Sequence, residues 1–131
     1  MVYLALDPGL AKIGLAVSHE GQLSQPLDTI DARNLINQII AYLDKYHPDV
    51  IVIGEPDPGS IRELAYILRN ELQKKFSGQI VFHPEVLSSQ EAKKKMLSGG
   101  MSKEKRQKGD HAAAAAIILS DYLDSHQKLS F

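Results

Sequence analysis

Residues 2–9 read Val-Tyr-Leu-Ala-Leu-Asp-Pro-Gly. Five apolar residues in succession suit a strand buried on both faces of a sheet. Pro8 has no N–H to give to a ladder, and Gly9 permits a sharp turn, so the strand must stop there. Val2–Leu6 is therefore predicted as the first strand, with Asp7 at its carboxyl end. In an open α/β sheet the functional crevice lies beyond that end of the strands. The remaining sequence shows whether such a sheet is built around Asp7.

Ile13–Ser18 and Leu23–Ile30 read as two further strands, the first joined through a tight turn and the second set off by Glu20-Gly21. From Arg33 to Tyr46, Leu35, Ile36, Ile39, Ile40 and Leu43 share one helical face, with Asp31 expected as N-cap and Pro48 beyond the end. Val50–Ile53 is continuously apolar and β-branched, the mark of a buried strand after a crossover helix, and it ends at Gly54-Glu55-Pro56. Ile61, Leu64, Ala65, Leu68 and Leu72 mark a second amphipathic helix. Gln79–Phe82 is a short strand stopped by His83-Pro84, and Ser88 with Glu91 has capping-box spacing for a third helix ending near Gly99-Gly100. The last helix is expected from Asp110 to about Asp124. This order predicts an α/β fold, a five-stranded mixed sheet flanked by helices, in the succession expected of a ribonuclease-H-like domain.

The chain has 131 residues, 44% of them hydrophobic, which suffices for one core and not two. A single domain over residues 1–131 is expected. No apolar run reaches the roughly eighteen residues of a membrane helix, and the start lacks signal-peptide features, so a cytoplasmic protein without a membrane partner is expected. Without cysteine there is no disulfide, thiolate zinc site or cysteine nucleophile. Any metal must sit on oxygen or imidazole, and oxygen ligands favour magnesium, with manganese as the alternative. The net charge of −1 conceals a basic segment: residues 93–108 carry seven Lys or Arg against Glu104. Such a run is either a solvated loop or a phosphate-binding surface.

Three acids fall at predicted strand ends, Asp7, Glu55 and Glu85, and Asp110 opens the closing helix. Carboxylates converging from separate elements can hold magnesium together with substrate phosphate oxygens, the arrangement used for phosphodiester hydrolysis. Each also has a plain structural reading. Asp7 suits an Asx turn, Asp110 a helix cap, and Glu55 and Glu85 ordinary exposed loop positions. Only convergence separates these readings. Among the histidines, His19, His47 and His126 are expected at the surface, while His83 and His111 lie beside candidate ligands, where proton transfer and ordinary packing are both open. Ala112–Ala116 would let the last helix approach its neighbours closely. No dinucleotide fingerprint or phosphate loop is present, so no nucleotide cofactor is expected.

Leu4-Ala5-Leu6-Asp7-Pro8-Gly9 with Lys12-Ile13-Gly14-Leu15-Ala16-Val17, followed by Pro26-Leu27-Asp28-Thr29-Ile30, resembles the opening of the YqgF family. Asp49 to Gly54, Glu85 followed by Ser88, Ser89, Glu91 and Ala92, and Lys108-Gly109-Asp110-His111-Ala112-Ala113 extend the likeness over nearly the whole chain. The family comprises Holliday junction resolvases, also described as nucleases that mature precursor 16S ribosomal RNA. The resemblance implies a ribonuclease-H-like fold and a magnesium-dependent endonuclease with Asp7, Glu85 and Asp110 as catalytic carboxylates and metal ligands. Lys12 and the basic residues Lys103, Lys105, Arg106 and Lys108 are then expected on nucleic-acid phosphates. The chain departs from the family where Pro84-Glu85-Val86 replaces Asp-Glu-Arg, and where Lys12 alone remains of a basic pair. In the related RuvC resolvases a glutamate ends the fourth strand, which makes Glu55 a fourth catalytic candidate.

The expected function is hydrolysis of phosphodiester bonds in branched DNA or precursor ribosomal RNA. A homodimer would suit a two-fold junction, and a monomer would suit RNA. The competing class is a nucleic-acid-binding module of the same fold that no longer cleaves. A fragment of an actin-like kinase ranks below both, because those proteins close two such domains over nucleotide.

Overall fold

The computed structural model describes residues 1–84 and 111–128. Its strands are β1 (Tyr3–Asp7), β2 (Lys12–Ser18), β3 (Gln25–Asp31), β4 (Val50–Glu55) and β5 (Gln79–Pro84). Its helices are α1 (Leu35–Tyr46), α2 (Ser60–Gln73) and α3 (His111–Lys128). The predicted helix from Ser88 to Gly99 and the basic segment lie outside the described residues. The five strands form one sheet in the order β3-β2-β1-β4-β5. β1–β2 and β2–β3 pair antiparallel, whereas β1–β4 and β4–β5 pair parallel. The mixed sheet and the ribonuclease-H-like order agree with the sequence reading.

Alternation along the central strands sorts the core into two layers. Leu4, Leu6, Ile13, Leu15, Ile51 and Ile53 face one side, where Ile39 and Leu43 of α1 and Ala65, Leu68 and Leu72 of α2 cover them. Ala5, Ala16, Val50 and Val52 face the other, beneath Ala115, Ala116, Ile118, Leu119, Tyr122 and Leu123 of α3. Both faces of β1 and β4 are thus buried, which is why their sequences are apolar without interruption.

The start of α1 differs from expectation. Asp31 completes β3, and its carboxylate takes the backbone N–H of Arg33 at 3.4 Å. The N-cap is Asn34, in the left-handed conformation at φ 56°. Asn tolerates that conformation, and the turn carries the chain out of the sheet before the helix begins. At the other end His47, also left-handed, gives its backbone N–H to the carbonyl of Leu43. No described helix is long and apolar enough to cross a membrane.

Candidate active site

The Asp-Pro-Gly stretch makes the turn from β1 to β2. A Cβ on Gly9 would lie 2.6 Å from the carbonyl oxygen of Lys12, so only glycine closes the loop this tightly. The turn leaves Asp7 as the last residue of β1, paired with Gly14 of β2 and 6% exposed. Asp7 has the strand parity of Tyr3 and Ala5, so its carboxylate belongs to the face covered by α3.

Gly14 brings that helix down. A Cβ there would sit 1.9 Å from the carbonyl oxygen of His111 and 2.9 Å from the amide nitrogen of Ala112. The first turn of α3 therefore rests on the backbone of β2 directly opposite Asp7. The small side chains of Ala112, Ala115 and Ala116, all buried, allow this approach, as the alanine run suggested. Ser24 reinforces it by donating its hydroxyl to the carbonyl of Ala116 at 2.6 Å.

Glu55 lies at the same end of the sheet but on the opposite face. The β1–β4 register pairs Leu6 with Ile53, and both belong to the core layer under α1 and α2. Two residues beyond Ile53, Glu55 shares that face, and the position on the Asp7 side is Gly54. The Glu55 carboxylate accepts the Tyr66 hydroxyl at 2.6 Å and pairs with Arg62 Nη2 at 3.5 Å, both partners coming from α2. That hydrogen bond, aided by burial, raises the Tyr66 pKa.

His83 occupies the Asp7 face at β5, in register with Gly54. Its Nε2 lies 2.7 Å from Asp121 Oδ2 of α3, and its ring meets Tyr122 edge-on at 5.8 Å. This contact between β5 and α3 joins residues 38 apart in sequence, and no local pattern could have shown it. His19, His47 and His126 are exposed, in keeping with the sequence reading, and Lys12 is exposed at the start of β2 opposite Asp31. Glu85, Asp110, Lys103, Lys105, Arg106 and Lys108 lie outside the described residues. Among the described residues no three His, Asp or Glu side chains form a metal-binding group.

The donor chemistry at Asp7 fits a hard divalent cation: carboxylate oxygens, nearly buried, at a strand end. Burying such a charge is costly unless positive charge or hydrogen bonds compensate it.

Comparison with known proteins agrees with this architecture. Residues 1–125 match the family model described as "RuvX: Holliday junction resolvase". A "Putative pre-16S rRNA nuclease" of Carboxydothermus hydrogenoformans is 37% identical, over 98% of this chain and 99% of its own length. One of the same description from Lactococcus lactis subsp. cremoris is 31% identical, over 94% of each chain. Among solved structures, Thermus thermophilus RuvC bound to a Holliday junction superposes with a TM-score of 0.61 at 20% identity, covering 97% of this chain and 96% of that one. The yeast mitochondrial Holliday junction resolvase Ydc2 gives 0.56 at 14% identity, covering 98% and 80%. The structural likeness carries the fold; the family-model match and the near-full-length relatives place the chain itself in the RuvX family of nucleases, the group that its opening motifs resemble under the name YqgF.

Proposed function

We propose that this chain is a divalent-metal-dependent endonuclease that cuts phosphodiester bonds in structured nucleic acid, with Asp7, Glu85 and Asp110 as its catalytic carboxylates. The observation that carries the reading is the seating of α3 on Gly14. His111, which follows Asp110 in the sequence, is held over Gly14, the register partner of Asp7, and this supports a shared site. Glu85 follows β5, the strand beside β4, in sequence. The three would hold magnesium or manganese, which when bound supplies electrostatic stabilisation to the phosphoryl group under attack. The protein's own part is to orient: Asp7 is fixed by a two-sided core, and Lys12, exposed at the same sheet end, is available to a phosphate. Glu55 is left out of the ligand set because its carboxylate is engaged by α2 on the other face.

The names of the relatives suggest precursor 16S ribosomal RNA as substrate, and the family description suggests four-way DNA junctions. Both present phosphates by shape, and a basic protein surface reads either. A labelled junction and a precursor RNA fragment spanning the mature 16S 5′ end, each incubated with magnesium, with manganese and with EDTA, test the proposal. Cleavage of at least one substrate, abolished by EDTA, is expected. Binding without cleavage under either metal would contradict it and leave a non-catalytic nucleic-acid-binding module.

A further inference from the structure

Along α2, Arg62, Tyr66 and Arg69 follow one another at helical spacing, so they form a single stripe. The Arg62 guanidinium lies 6.0 Å from the centre of the Tyr66 ring, and that of Arg69 lies 5.4 Å from the Phe82 ring of β5. Tyr66 meets Phe82 edge-on at 5.1 Å. The strip therefore runs cation, ring, ring, cation, from Arg62 through Tyr66 and Phe82 to Arg69, and Glu55 contacts it at the Arg62 end.

We propose that Arg62 is a contact for the phosphodiester backbone of the substrate, and that Glu55 is the positioning residue that aims it. The inference rests on the nuclease reading above and assigns a second holding point to the same substrate. As a stabilising ion pair the Glu55–Arg62 contact is weak, being partly exposed at 3.5 Å. As a positioned guanidinium it is well made. Tyr66 occupies one oxygen of Glu55 and Arg62 Nη2 faces the other, so the carboxylate is fixed from two sides. The Arg62 side chain remains 34% exposed, and Nε is buried without a hydrogen-bond partner among the described residues. A guanidinium carries five N–H donors in a rigid fork; with Nε turned away from solvent and Nη2 facing Glu55, the donors open to a phosphate are those on the exposed part of the side chain. Phosphate oxygens are the acceptors for which such a fork is suited.

Position supports the choice of ligand. Asp7 stands one residue beyond Leu6 and Glu55 two beyond Ile53, and Leu6 and Ile53 are register partners. Arg62, through its contact with Glu55, thus lies at the same end of the sheet as Asp7, on the opposite face. A nucleic-acid strand crossing that end to place a phosphodiester at Asp7 would meet Arg62 further along its backbone. Beyond it the Tyr66 ring, 37% exposed, is available for an unpaired base to stack on.

The test compares wild type with Arg62→Gln, Arg62→Lys, Glu55→Gln, the Glu55→Gln/Arg62→Gln double variant, and Lys74→Gln as a charge-matched control at the other end of α2. Cleavage kinetics, salt-dependent binding by anisotropy, and manganese affinity by calorimetry are measured on each. For Arg62→Gln, KM is expected to rise roughly tenfold, the loss of one charge-assisted hydrogen bond, with the effect on KM rather than kcat. The slope of log affinity against log salt should shrink by about 0.7 to 0.9, one phosphate's share. Arg62→Lys, the milder replacement, should keep the slope and raise KM less. Glu55→Gln should weaken binding with manganese affinity at the wild-type value, and the double variant should be no worse than Arg62→Gln alone. Lys74→Gln should match wild type. Unchanged KM and slope in Arg62→Gln would overturn the inference, and so would lost manganese affinity in Glu55→Gln. A wild-type chain that binds neither nucleic acid at low salt would overturn the nuclease reading with it.

Discussion

Asp7 and Glu55 show how much one step along a strand decides. Both are acids at the carboxyl ends of adjacent parallel strands, yet side chains alternate, so Asp7 serves the α3 face and Glu55 the α2 face. The position of Asp7 was legible because Pro8 and Gly9 stop the strand immediately behind it. The facing of Glu55 was not, because Val50–Ile53 is apolar on both sides and offers no alternation from which to read parity. The Arg62–Tyr66–Arg69 spacing was present in the sequence, but its meaning needed Glu55 and Phe82 brought beside it by the sheet. Another pair fixed only by folding joins α1 to β3, where the Tyr42 hydroxyl donates to Asp28 Oδ2. That bond, helped by burial, pushes the Tyr42 pKa up from an ordinary 10 to about 12. The fold favours the neutral phenol, so this stabilisation is complete below about pH 10 and is lost as pH rises through about 12. Denaturant titrations at alkaline pH should therefore show a falling stability that Tyr42→Phe flattens over that window.

At the scale of elements, α3 is the piece on which the proposed site depends. Its alanine run was readable from sequence as a close-packing element, and the described helix, His111–Lys128, continues past the expected end near Asp124. Its seat on Gly14 was not readable, since nothing local links residue 14 to residue 111. Gly14→Ala would thrust a methyl group into the His111 carbonyl, and backbone cannot rotate away as a side chain can. We expect a destabilisation of about 2 to 3 kcal/mol, by analogy with overpacked cores, measurable by urea unfolding. Cleavage should fall further than stability accounts for, because the helix start is displaced from Asp7. Activity equal to wild type in the folded variant would mean that the α3 seat does not set the site. The start of α1 carries a smaller lesson: Asp31 is held as the last residue of β3, and Asn34 takes the cap position in the left-handed conformation without a side-chain cap hydrogen bond.

For the molecule as a whole, the order β3-β2-β1-β4-β5 puts β1 in the middle of the sheet. A carboxylate on the central strand is held by neighbours on both sides and by a helix above it. This is the rigidity that the proposed metal-assisted mechanism would require of Asp7. The same order places α2 with Arg62 on one face of the sheet and α3 on the other, so the proposed Arg62 contact and the proposed site at Asp7 lie on opposite faces. The overall order was legible from the succession of strands and helices, and the family from motifs spread along it. The Glu55–Arg62–Tyr66 cluster behind the proposed α2-side contact was legible only in three dimensions. The most direct test of the account is single-turnover cleavage by Asp7→Asn against wild type, on whichever substrate the wild type cuts, at equal binding saturation with magnesium. Removing an outer-shell partner of a metal typically costs 10- to 100-fold, so loss of a direct ligand should slow cleavage by at least about a hundredfold with binding preserved. Cleavage by Asp7→Asn at the wild-type rate would contradict the assignment of Asp7, and with it the mechanism built around the end of β1.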